Sequence, residues 1–131
     1  MERRVMEKKK VLVIGVDGAT FDIINPLVKE GKLPTFKRLI ASGASGLLNS
    51  TVPCYSPMAW TSWMKGKNPG KHGVFAFTKS RVKDPTALVE AKHNSDDVFW
   101  NIASDNGLKV CVMNVPLTYP PHEVNGIMIS G

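Results

Sequence analysis

Residues 11–18 read VLVIGVDG, and the reading of this stretch decides the fold. A continuous, β-rich apolar run extends from residue 11 to residue 16. Such a run predicts a strand covered on both faces, as in parallel sheets with helices on either side. Asp17-Gly18 then ends the strand at its carboxyl edge, where open α/β sheets place their ligands.

Outward from this strand, periodic helices and apolar runs alternate. TFDIINPLVKEG (20–31) has helical spacing through Phe21, Ile24, Leu27 and Val28, with Pro26 predicting a kink or a short first piece and Gly31 a stop. LPTFKRLIASG (33–43) predicts a second helix, with Pro34 in its first turn and Gly43 past its end. SGLLNSTVP (45–53) reads as extended. SPMAWTSWMKG (56–66) predicts a third helix, capped by Ser56, with Pro57 first inside, Trp60, Trp63 and Met64 on one face, and Gly66 ending it. KNPGKHG (67–73) is rich in turn residues and reads as a loop. VFAF (74–77) reads as a short strand, and residues 79–92 as a surface loop. DVFWNIASDNG (97–107) predicts a helix capped by Ser95 or Asp96. LKVCVMNV (108–115) predicts a second buried strand, then a proline-rich loop, with IMISG (127–131) opening a further element. The class is α/β, with a basic extension over 1–10 and one domain over 11–131.

Composition agrees. A 131-residue chain with 43% hydrophobic residues can build a core. The net charge of +6 favours anionic partners, but the densest basic run, at residues 3–10, reads as a solvated terminus. Basic residues without interleaved aromatics give no specific nucleic-acid reading. The two cysteines form no CxxC pair, which points to a reducing, cytoplasmic setting. No apolar run approaches the ~18 residues of a membrane span.

Candidate chemistry concentrates at four residues. Asp17, just past a strand, reads equally as a metal ligand or as a residue that caps the next helix or makes an Asx-turn. Ser56, at a helix N-terminus, sits where exposed N–H groups and the helix dipole favour anions. An ordinary cap is its blander reading. Cys54 reads as a small packed hydrophobe. His72 either approaches a ligand or hydrogen-bonds backbone. His93 and His122 have no ligand-like spacing.

Taken together, VIGVDGAT (13–20), LPTFKRLIASGASG (33–46) and TVPCYSPMAWTSWMKGKNPGKHGVF (51–75) resemble the N-terminal part of the type I phosphodiesterase/nucleotide pyrophosphatase family, of the alkaline phosphatase superfamily. The resemblance covers about residues 10–78 and continues more weakly to the end. It implies an alkaline phosphatase-like parallel sheet flanked by helices, here partial. It implies Asp17 as a metal ligand and Ser56 as both nucleophile and metal ligand, sixteen positions before His72 as in the family. It implies two divalent ions about 4 Å apart, zinc or else manganese, and hydrolysis of a phosphate ester, diester or nucleotide-like small molecule. Two departures stand out. FAFT (75–78) replaces the segment where many nucleotide pyrophosphatases carry a phosphoryl-binding asparagine. Cys54 does not begin the C-x-P-x-R of a sulfatase. The family's later Asp and His ligands are expected beyond residue 131, so the chain reads as a fragment inactive alone. The other readings are a non-catalytic α/β module that self-associates or pairs with a partner through an unpaired sheet edge, and a phosphoglycerate mutase-like enzyme.

Overall fold

The computed structural model describes residues 10–78, Val89 and residues 98–131. The chain divides into two compact units, Met1–Leu47 and Leu48–Gly131. The readings for residues 1–9 and for most of 79–97, including the cap at Ser95 or Asp96 and the surface loop, lie outside the described residues.

In the first unit two helices form, α1 (Phe21–Lys29) and α2 (Pro34–Ser42). Local chemistry sets their ends. Thr20 caps α1, its hydroxyl accepting from the Asp22 N–H at 3.3 Å. At the other end the Gly31 N–H donates to the Val28 carbonyl and the Lys32 N–H to the Leu27 carbonyl. This is a Schellman closure, and it requires the left-handed φ of 75° that Gly31 adopts. Pro26 sits inside α1, which is one piece rather than the short first segment expected. Pro34 opens α2, as the sequence predicts. Phe21, Ile24, Leu27 and Val28 of α1 and Phe36 and Ile40 of α2 are half-buried, and neither helix has a fully buried residue.

The strand expected at residues 11–16 is not formed. The segment is extended but unpaired, and Val11 and Leu12 are 85% and 83% exposed. A strand needs a ladder partner for its N–H and C=O groups, and no other segment of this unit supplies one among the described residues.

In the second unit α3 (Ser56–Lys65) leads through α4 (Pro69–His72) and α5 (Phe99–Asp105) to β1 (Val110–Val115) and β2 (Gly126–Ser130). Gly66 ends α3 in the left-handed conformation. The expected loop at 67–73 contains the single helical turn α4, started by Asn68, whose side chain accepts from the Lys71 N–H at 3.0 Å. No strand forms at 74–77 beyond an isolated bridge at Thr78. α5 closes as α1 does, with the Gly107 and Leu108 N–H groups on the Ser104 and Ala103 carbonyls.

β1 and β2 pair in parallel, with Val110 opposite Gly126 and Met113 opposite Ile129. A bulge at Asn114, at φ 52°, shifts the register before Val115 meets Ser130. Gly126 lies so close to the Val110 carbonyl that a Cβ there would collide with it. Past the bulge, the buried Thr118 hydroxyl donates to the Val115 carbonyl at 2.6 Å and accepts from the Gly131 N–H at 3.1 Å, joining the carboxyl ends of the two strands.

The core lies in this unit. Met64, Val98, Trp100 and Val112 are buried together, with Trp60, Val110, Val115, Val124 and Met128 packed around them. β1 was expected to be covered on both faces. Instead Val112 is buried while its neighbours Cys111 and Met113 are exposed, as are Ile127 and Ile129 on β2. Among the described residues the helical layer covers one side of the pair, so the α/β class holds in the coarse form of helices with a small parallel sheet.

Candidate functional site

The sequence at 55–58 explains why a helix starts there. Pro57 lacks an N–H and has its φ preset, which suits the first turn. The Ala59 N–H already donates to the Tyr55 carbonyl at 3.0 Å. Tyr55 therefore stands in the cap position, extended at φ −142°, with no side-chain cap bond. Ser56 is the first helical residue and not the cap the sequence suggested. Its hydroxyl lies half-buried at the positive end of a ten-residue helix, beside the buried Pro57 and Met58. The Tyr55 ring meets Phe77 edge to face, centroids 6.1 Å apart, and both rings are partly exposed.

Further along α3, Ser62 lies on the face that meets α4. Asn68 and Pro69 turn the chain so that His72 returns to this face. The Val74 N–H donates to His72 Nδ1 at 3.1 Å, and His72 Nε2 lies 3.0 Å from Ser62 Oγ. An Nδ1 that accepts is unprotonated, so Nε2 carries the proton and donates to the hydroxyl. A hydrogen-bonding contribution from the Met58 backbone also favours a proton on the ring. Met58 and Ser62 are four residues apart, one above the other on α3. Burial, then the Lys65 ammonium, lowers the His72 pKa below its ordinary 6.5, against that Met58 contribution, which raises it.

A serine beside a histidine suggests a nucleophile and its base. This tautomer excludes that role for Ser62, because Nε2 points a proton at the hydroxyl and cannot take one from it. Of the two sequence readings of His72, the hydrogen bond to backbone is the one found. The sequence reading did not single out Ser62. The turn signal Asn68-Pro69, which brings the chain back onto α3, was the available clue.

Asp17 lies in the first unit, in an exposed turn with Gly18 at φ 69°. Thr20, not Asp17, caps α1. Cys54, expected to be packed, is exposed, because the extended segment before α3 has no cover over it; Cys111 is exposed as well. His122 accepts or donates at Nδ1 with Asn101 at 3.3 Å. Among the described residues no three of His, Cys, Asp and Glu gather into a group that could hold a metal ion. The two donors carried by the resemblance, Asp17 and Ser56, therefore do not by themselves fit a two-metal centre. Among the described residues no helix is long and apolar enough to cross a membrane.

A family model described as type I phosphodiesterase / nucleotide pyrophosphatase matches residues 11–128. No curated protein and no solved structure matches the chain.

Proposed function

The chain belongs to the type I phosphodiesterase / nucleotide pyrophosphatase family, matched over 11–128 of its 131 residues, and from this we propose that Ser56 is the nucleophile of a phosphate ester or diester hydrolase. The observation that carries the reading is the place of Ser56 at the N-terminus of α3. Backbone N–H groups and the helix dipole there favour a phosphoryl oxygen in front of the hydroxyl. The Ser56 oxygen forms a bond to phosphorus as the ester oxygen departs and takes up a proton. Water then attacks the phosphoseryl ester, returning the hydroxyl and releasing phosphate or a monoester. FAFT at 75–78 leaves the nucleotide-specific asparagine absent, so a non-nucleotide phosphoester is the favoured substrate class.

The family is generally metal-dependent, with zinc or manganese the ions proposed here. The described residues bring too few donors together for two ions, so no step is routed through them. The isolated chain then binds zinc weakly and turns over little, as titration calorimetry and a nitrophenyl phosphodiester assay would read. Where turnover is measured, Ser56→Ala lowers it by at least about 10³-fold. Undiminished turnover in that variant removes Ser56 as nucleophile.

The open sheet supports a second reading, a non-catalytic module that self-associates or completes its sheet with a partner. The unpaired run at 11–16 and the two-stranded sheet, among the described residues, favour it. Light scattering that shows only monomer at high concentration counts against self-association.

A further inference from the structure

His72 ties α3 to the segment that follows α4. Its Nδ1 accepts from the Val74 N–H at 3.1 Å. Its Nε2 faces Ser62 Oγ at 3.0 Å, one turn and a half along α3 from Ser56. Ser62 and Ser56 belong to the same ten-residue helix, so a tie at Ser62 acts on the element that carries Ser56. The short helix α4 makes this reach possible, since Asn68 caps it and Gly73, left-handed at φ 72°, turns the chain out again toward Val74.

We propose that His72 is a positioning residue for Ser56: as the neutral Nε2–H tautomer, its imidazole clips α3, at Ser62, to the α4–Val74 segment and so holds the helix that carries the Ser56 hydroxyl in place. This rests on the reading of Ser56 as the reacting group. Burial of the ring, and then the Lys65 ammonium, favour the neutral form. Lys65 acts on it from α3, Lys71 adjoins it in α4, and Lys67 lies in the connection between the two helices. A second proton on the ring would place an Nδ1–H against the Val74 N–H, donor against donor, and open one side of the clip. His72 touches no reacting atom in this scheme, so its effect on chemistry passes through α3.

The test is nitrogen-15 NMR of the imidazole in the full chain, with the backbone amides of Ser56, Met58 and Ala59 followed through an acid titration. The expected result is an Nε2–H tautomer whose protonation midpoint lies below the ordinary 6.5. The Ser56 and Met58 amide signals should move in phase with the protonation of His72. His72→Gln, which keeps an amide N–H donor on a chain of similar reach, should retain those amide positions. His72→Phe, which fills the space without a donor, should lose them. An Nδ1–H tautomer overturns the proposal, as do Ser56 and Met58 signals indifferent to the titration. If the Phe variant does not fold, the tautomer and the coupled titration in the unmodified chain still decide. The clip is read by NMR and the chemistry of Ser56 by ester hydrolysis, so failure of one is distinguishable from failure of the other.

Discussion

The two units of the chain start from similar apolar content and end differently. In Met1–Leu47 a side chain caps α1 and none caps α2, neither helix has a fully buried residue, and the apolar run at 11–16 is exposed. In Leu48–Gly131 the N-caps of α3 and α5 use no side chain either, yet Met64, Val98, Trp100 and Val112 close a core. Capping and burial are thus separate contributions. A cap stabilises a helix by about 1 kcal/mol. A core needs surfaces that meet, and an apolar run without a partner gains nothing from its composition.

That contrast can be broken most severely at Gly126. Gly126→Ala puts a methyl group against the Val110 carbonyl, so β1 and β2 cannot keep their register. Loss of the β1 and β2 amide-exchange protection is expected, with the α1 signals unchanged; retained protection would refute the register. Next comes Trp100→Ala, which empties the centre of the second unit. A cost of about 3–5 kcal/mol is expected in denaturant unfolding. The lower end is favoured, because the buried indole N–H has no hydrogen-bond partner among the described residues and its removal relieves that cost.

A weaker effect follows from pH. The folded His72 pKa lies below its unfolded 6.5, so the unfolded chain binds the extra proton first. The stability due to neutral His72 is therefore complete above pH 6.5 and declines as pH falls from there through the folded pKa. His72→Phe should flatten this part of the stability–pH curve. The smallest effect is expected in the first unit. Leu12→Ser should change stability by no more than about 0.5 kcal/mol, since Leu12 is exposed. A loss of several times that, measured by thermal unfolding, would show that something covers the run at 11–16.

The same contrast explains what could be read in the sequence. α2, α3 and α5 and the ends set by Gly31, Gly66 and Gly107 were legible, because prolines, glycines and the 3.6-residue period are local signals. β1 was legible as an apolar β-rich run. The strand at 11–16 carries the same signal and is unpaired, because pairing depends on a distant partner that a window of sequence does not contain. α4 was missed because four residues are too few to show a period. At the candidate site, the start of a helix at Ser56 was legible to within one residue. The contact of Ser62 with His72 was not, since it depends on how α4 folds back. The roles of Asp17 and Ser56 came from the resemblance rather than from geometry.

The pairing of β1 with β2 has a consequence for the order in which the chain folds. Val110 meets Gly126 only sixteen residues along the chain. Parallel neighbours usually need a crossover of a dozen residues or more, commonly wrapped around a helix. Here residues 116–125 make the return without one, held by Thr118 at the strand ends. Closing a loop costs entropy that grows only with the logarithm of its length, about 0.6 kcal/mol per doubling, so this closure is among the least expensive a parallel sheet can have. It can therefore serve as an early nucleus, with α5 docking onto it through Trp100 before the aromatic residues of α3 arrive.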